Sequence, residues 1–153
     1  MRIVRPLTKG EIAIARSVFG AAIDYADVRI IRGRWWPFQP AGVVMAPTGN
    51  IHFHPADPRW SDDYAGEALS LQGLFIHEMT HVWQSQKRGK YYLPLMRHPF
   101  CRYGYQLQQG RRFDRYGLEQ QAEIVRHRFL ADRGEYVPQS CARDLLPFEG
   151  IVT

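Results

Sequence analysis

One segment governs how this chain can fold. His77-Glu78-Met79-Thr80-His81 is flanked by Leu71-Gln72-Gly73-Leu74-Phe75-Ile76 on one side and Val82-Trp83 on the other. The apolar flanks predict a buried helix over about residues 65–87. Side chains four apart on a helix lie one above the other, roughly 40° apart around the axis. His77 and His81 therefore share a face, and their imidazoles can grip one metal ion. Leu71, Phe75, Met79 and Val82 form an apolar stripe roughly opposite. Ile76 and Trp83 call for burial on a third side. A fold that satisfies this helix must surround it, with the stripe on the core and the histidines facing a cleft.

The rest of the chain reads as α+β. Thr8 and Glu11 have the spacing of a capping box, and Ile12, Ala15 and Phe19 follow at helical intervals, which predicts a first helix over 8–20. Residues 28–31, 42–45 and 50–54 read as strands, and the turn chemistry of Pro47-Thr48-Gly49-Asn50 predicts a hairpin between the last two. Residues 88–117 have no clear period, and long irregular segments inside compact domains are often functional. A third helix is expected over 118–133, with Leu118, Ala122, Val125 and Phe129 as its stripe and Gly134 as its stop. The tail from Val137 is expected to pack over the surface. The length of 153 residues predicts one domain, and 45% hydrophobic and 13% aromatic residues are enough to build its core.

The chemistry follows from spacing. His-Glu-x-x-His on a helix is the zinc-hydrolase pattern: two histidine ligands, with the intervening Glu78 placed to act as general base on a metal-activated water. Catalytic zinc usually takes three protein ligands and a water. The downstream candidates for the third are His98, Asp114, Glu119, Glu123 and His127. Glu119 and Glu123 are the best placed, one turn apart at the edge of the stripe on the third helix. Their alternative is a solvated face relieved by Arg115 and Arg126.

The phrase Leu118-Glu119-Gln120-Gln121-Ala122-Glu123 after His-Glu-x-x-His resembles the gluzincin metallopeptidases. That resemblance implies a minimal zincin-like domain, a small sheet followed by a zinc-binding helix and a glutamate-donating helix. It implies Zn²⁺ as cofactor, with Glu119 as third ligand beside His77 and His81. Glu123 is implied to hydrogen-bond a ligand histidine, and Glu78 to be the catalytic base. Ala122 suits close packing of the two helices. More narrowly, residues 75–84 and 116–125 are similar to small bacterial proteins described as Vgr-related, and to the peptidase-like core domain of extracellular injection systems. The narrower likeness implies an association with type VI secretion or contractile injection. The implied reaction is hydrolysis of a peptide or protein substrate. The competing reading is a non-catalytic accessory or structural protein of such a machine that keeps zinc as a staple.

No spacing rule selects the group that would stabilise an oxyanion, and His98, Tyr103 and Tyr105 are the candidates. The strand at 50–54 is a candidate edge for pairing with an extended peptide. His52 and His54 share a strand face and read as half-exposed residues rather than a second metal site. Trp35-Trp36-Pro37-Phe38 reads as core, as a lid over the cleft or as a hydrophobic docking site. The run Gln86-Lys87-Arg88-Gly89-Lys90, with Tyr91, Tyr92, Arg111, Arg112 and Arg115, reads as solvated charge rather than a nucleic-acid track, and the net charge of +5 does not demand an acidic partner. Two cysteines, Cys101 and Cys141, are too few for a disulfide scaffold, which favours a reducing compartment and leaves a single bridge open. The N-terminus lacks an apolar run of signal-peptide length, and no segment reaches the roughly 20 apolar residues of a membrane span. Synthesis in the cytoplasm, with signal-independent export open, is the expectation.

Overall fold

The Thr8–Glu11 capping box forms as spaced. Thr8 Oγ1 accepts from the Glu11 N–H at 3.0 Å, and the Glu11 carboxylate accepts from the Thr8 N–H at 2.9 Å, opening α1 (Lys9–Phe19). Glu11 is fully buried and does more than cap. Its carboxylate pairs with Arg5 at 2.8 Å and accepts the Tyr64 N–H at 2.9 Å. One side chain thereby joins the N-terminal strand, the first helix and the loop before the histidine helix.

The computed structural model describes residues 1–89, 92–93 and 103–148. It is α+β, with a three-stranded sheet and three α-helices among the described residues. The strands β1 (Ile3–Pro6), β2 (Arg29–Arg32) and β3 (Ile51–Phe53) lie in the order β1-β2-β3. β1 runs antiparallel to β2, with Val4 opposite Ile31, and β3 runs parallel to β2, with Ile31 opposite His52. The sheet is therefore mixed.

The expected hairpin shrinks to a single bridge, Met45 to His52, with N···O distances of 3.0 and 2.7 Å. A side chain has taken the carbonyl that the next rung, at Val43, would need. Gln39 donates to Val43 O at 2.8 Å, and Arg59 donates to Gly42 O at 2.8 Å. β1 was not foreseen, because Ile3 and Val4 are exposed and its pattern carries no alternation.

The histidine helix α2 (Leu69–Arg88) starts later than expected, after a 3-10 turn at Tyr64–Gly66. Residues Phe75 to Ser85 are all buried, so α2 runs through the middle of the molecule. Phe75, Met79 and Val82 enter the core as the stripe requires, whereas Leu71 is only partly buried and lines a cleft. Phe53, Tyr64 and Phe75 stack in series, with centroids 5.8 Å apart at each step.

The third helix, α3 (Leu118–Asp132), packs along α2. Gly73 sets how close they come, since a β-carbon there would stand 3.3 Å from Leu130 Cδ2 and 3.4 Å from Arg126 Nε. Ala122 is fully buried in the same packing. Gly134, at φ +83°, ends the helix in the left-handed region that glycine favours.

The tail does more than cover a surface: Phe148 is buried, with its ring 4.7 Å from Phe19 and 5.0 Å from Trp83. Trp35, Trp36 and Phe38 are instead exposed, at 39%, 45% and 76%, and belong to neither the core nor the cleft lining. No helix among the described residues is long and apolar enough to cross a membrane.

Candidate metal centre

His77 and His81 project from one face of α2 with ring centroids 5.1 Å apart. Glu119 comes from the first turn of α3, where a helix N-terminus favours negative charge. Its Oε2 lies 3.2 Å from His77 Nε2 and 3.1 Å from His81 Nε2. All three side chains are buried, and one ligand atom from each lies within 4.8 Å of the others. Two imidazole nitrogens and a carboxylate oxygen converging in this way could hold a metal ion.

The electrostatics favour a cation at that point. Burial pushes the His77 pKa down, but the Glu119 carboxylate that accepts from its ring and the Glu123 carboxylate beside Nδ1 outweigh it and hold it up at about 10. Burial likewise raises the Glu119 carboxyl, yet its contacts with His77 and His81 keep it well below the usual carboxylate range. Two carboxylates thus keep a positive charge on a buried ring, a charge that a bound cation would replace.

The remaining groups are arranged around these three. Glu123, one turn after Glu119, places Oε2 3.6 Å from His77 Nδ1 and pairs with Arg126 at 2.9 Å. Its pKa is about 2, because the pull of His77 and Arg126 overcomes desolvation. The reading of Glu119 and Glu123 as a solvated face does not match this placement, although Arg126 does pair with Glu123. Glu78 is buried at the same cleft. That cleft has a volume of about 440 Å³, with Val43, Val44, Leu71 and Leu74 as apolar wall and Arg59 and Arg126 as cationic rim. A larger cavity of about 880 Å³ elsewhere is lined by none of His77, Glu78, His81 or Glu119, so size alone does not mark the chemistry.

Tyr103 lines the cleft and stacks on His77, with centroids 6.1 Å apart and planes 15° from parallel. Tyr105 is not brought there; its hydroxyl lies 2.6 Å from His127 Nδ1. That contact also accounts for His127, while Asp114 pairs with Arg112 at the surface. His98 and Cys101 lie outside the described residues, so a Cys101–Cys141 bridge does too; Cys141 itself is buried.

His52 is buried rather than half-exposed, and the His54 ring accepts the Ala56 N–H at 3.0 Å. Neither joins a metal-ligand cluster among the described residues. The side of β3 expected to receive a peptide is bridged by Met45, and Gly42, Val43 and Val44 just before it line the cleft.

One neighbour of the site was missed from the sequence. Gln84 Oε1 lies 2.8 Å from His81 Nδ1. No sequence signal marks it among the polar residues Gln84, Ser85 and Gln86; its burial emerges only in the fold.

A buried His–His–Glu cluster across two packed helices in a small α+β fold defines a class of domain, and comparison with known proteins gives it a family. The solved effector domain of Pseudomonas aeruginosa VgrG2b is 40% identical, with a TM-score of 0.73, over 85% of this chain and 75% of that one. The type VI secretion system spike protein VgrG2b of Pseudomonas aeruginosa is 43% identical over 133 residues, which is 82% of this chain and 13% of the spike protein. The chain belongs to the family of the VgrG2b effector domain, and it spans only about an eighth of the spike protein's length. No protein-family model matches it.

Proposed function

We propose that this chain is a zinc-dependent metallopeptidase of gluzincin type that acts as an effector of type VI secretion. The observation that carries the reading is the meeting of Glu119 Oε2 with both histidine Nε2 atoms, beside a Glu78 contributed by the same motif. His77, His81 and Glu119 would hold the ion, and Glu123 would orient His77 through Nδ1 and raise its basicity. Zinc held there supplies Lewis acidity, lowering the pKa of a water from about 15.7 toward about 7. Glu78 takes the proton of the attacking water and passes it to the leaving amine. Tyr103, which lines the cleft and stacks on His77, is the candidate to donate to the developing oxyanion. The apolar wall of Val43, Val44, Leu71 and Leu74 excludes water and receives substrate side chains. The likeness to a secretion-system effector domain supports delivery by such a machine, and the peptide or protein substrate follows from the metallopeptidase reading alone.

The reading is tested by metal dependence. Purified chain should hydrolyse fluorescently labelled casein, lose that activity on chelation and regain it with equimolar zinc. Hydrolysis that survives complete removal of metal would overturn it.

A further inference from the structure

We infer that Gln84 is a positioning residue that sets the tautomer and orientation of His81 from the backbone at the start of α3. The inference rests on the reading of His81 as a metal ligand. The chain of contacts begins two residues before α3, at the carbonyl of Tyr116. Gln121 Nε2 donates to Tyr116 O at 2.9 Å, which turns Gln121 Oε1 toward Gln84. Gln84 Nε2 then donates to that oxygen at 3.0 Å and to Leu118 O at 3.1 Å. Both amide protons of Gln84 are thereby given to oxygen acceptors. A flipped amide would set its oxygen against two others, so Oε1 must face His81 Nδ1, at 2.8 Å. An amide oxygen only accepts, so Nδ1 carries the proton. Nε2 is left aimed at the metal position, 3.1 Å from Glu119 Oε2.

Two features give the arrangement force. Gln84, Gln121 and His81 are all buried, at 3%, 7% and 5% exposure, so water cannot replace a lost partner at low cost. Leu118, which holds the Gln84 amide, directly precedes Glu119. The same amide thus orients a histidine ligand and anchors the chain beside the carboxylate ligand. The two histidines are also supported unequally, His77 by the charged Glu123 and His81 by a neutral amide. A carboxylate at both would place one more negative charge beside a bound cation and lower its Lewis acidity.

The test uses the full chain, the variants Gln84→Met, Gln84→Glu and Gln121→Met, and two readouts. Nitrogen–proton spectra of the metal-free protein should show a protected His81 Nδ1–H that Gln84→Met lacks. The zinc dissociation constant, from competition with a chelator, should rise about 10–100-fold in Gln84→Met. Gln84→Glu keeps an acceptor for that proton but turns its second oxygen on Leu118 O and Gln121 Oε1, so it should recover only part of the loss and bind zinc more tightly than Gln84→Met. If Gln84→Met fails to fold, Gln121→Met decides: freeing the Gln84 amide to rotate should weaken zinc binding about 3–10-fold. An unchanged dissociation constant in the folded Gln84 or Gln121 variant, or a His81 Nδ1–H that persists without Gln84, overturns the inference. Failure of the wild-type chain to bind zinc would instead overturn the metal reading, and the Nδ1–H spectrum would still decide the role of Gln84.

Discussion

Glu119 Oε2 stands 3.1 Å from His81 Nε2, although 38 residues separate the two in the chain. The contact joins the first turn of α3 to the middle of α2, and it distinguishes the roles of the two glutamates. Glu119→Ala should abolish stoichiometric zinc binding, whereas Glu123→Ala should weaken it only about 10–100-fold. Isothermal titration of both variants measures the difference, and the reverse order would exchange ligand and orienter.

The helix packing that makes this contact depends on Gly73. A leucine there would drive a side chain into Leu130 and Arg126, where even a β-carbon comes within 3.3–3.4 Å. Gly73→Leu should cost about 1–3 kcal/mol in urea unfolding and weaken zinc binding by displacing Glu119. Gly73→Ala should be close to neutral, because its gain in helix propensity offsets a tight contact.

Glu11 makes a separate stability claim. Removing one member of a buried ion pair leaves the other uncompensated, so Glu11→Ala should cost about 3–5 kcal/mol. The variant also loses the cap on Thr8 and the acceptor for the Tyr64 N–H. Chemical unfolding measures the loss, and a cost below about 1 kcal/mol would show that the Arg5–Glu11 pair is not a hub of the fold.

His52 gives the fold a pH dependence. Burial, aided by nearby Arg2 and opposed by a backbone hydrogen bond at Gly33, lowers its pKa to about 4. The unfolded chain takes up this proton near pH 6.5, before the folded one does. The stability His52 contributes is therefore fully present above pH 6.5 and is lost as pH falls toward 4, a change on the order of 2–3 kcal/mol. Unfolding free energies of the metal-free chain should show this slope, and His52→Gln should flatten it. Equal slopes in the two proteins would contradict the assignment.

What could be read from the sequence follows what is local. The capping box of α1, the helices and the shared face of His77 and His81 all arise from spacing within a few turns. The nearness of Glu119 to those histidines came from a motif resemblance, and the distances agree with it. β1 was illegible because its place depends on pairing with β2, far along the chain, rather than on any alternation of its own. The hairpin was overestimated because the side chain of Gln39, not the ladder, satisfies the carbonyl at Val43. Gln84 was invisible as a site residue because an isolated glutamine gains meaning only once α3 places Leu118 and Gln121 beside it. The burial of Phe148 likewise depends on Phe19 and Trp83, far away in the chain.

The proposed hydrolysis requires Glu78 to act as a base beside a metal held by His77, His81 and Glu119. The most direct test measures zinc content and casein hydrolysis on the same preparations of wild-type chain and Glu78→Gln. Both proteins should carry one zinc per chain, and the variant should hydrolyse at least about 100-fold more slowly. A zinc-loaded Glu78→Gln that cleaves at the wild-type rate would contradict the mechanism, and zinc-loaded proteins that are both inert would leave the metal as a structural staple.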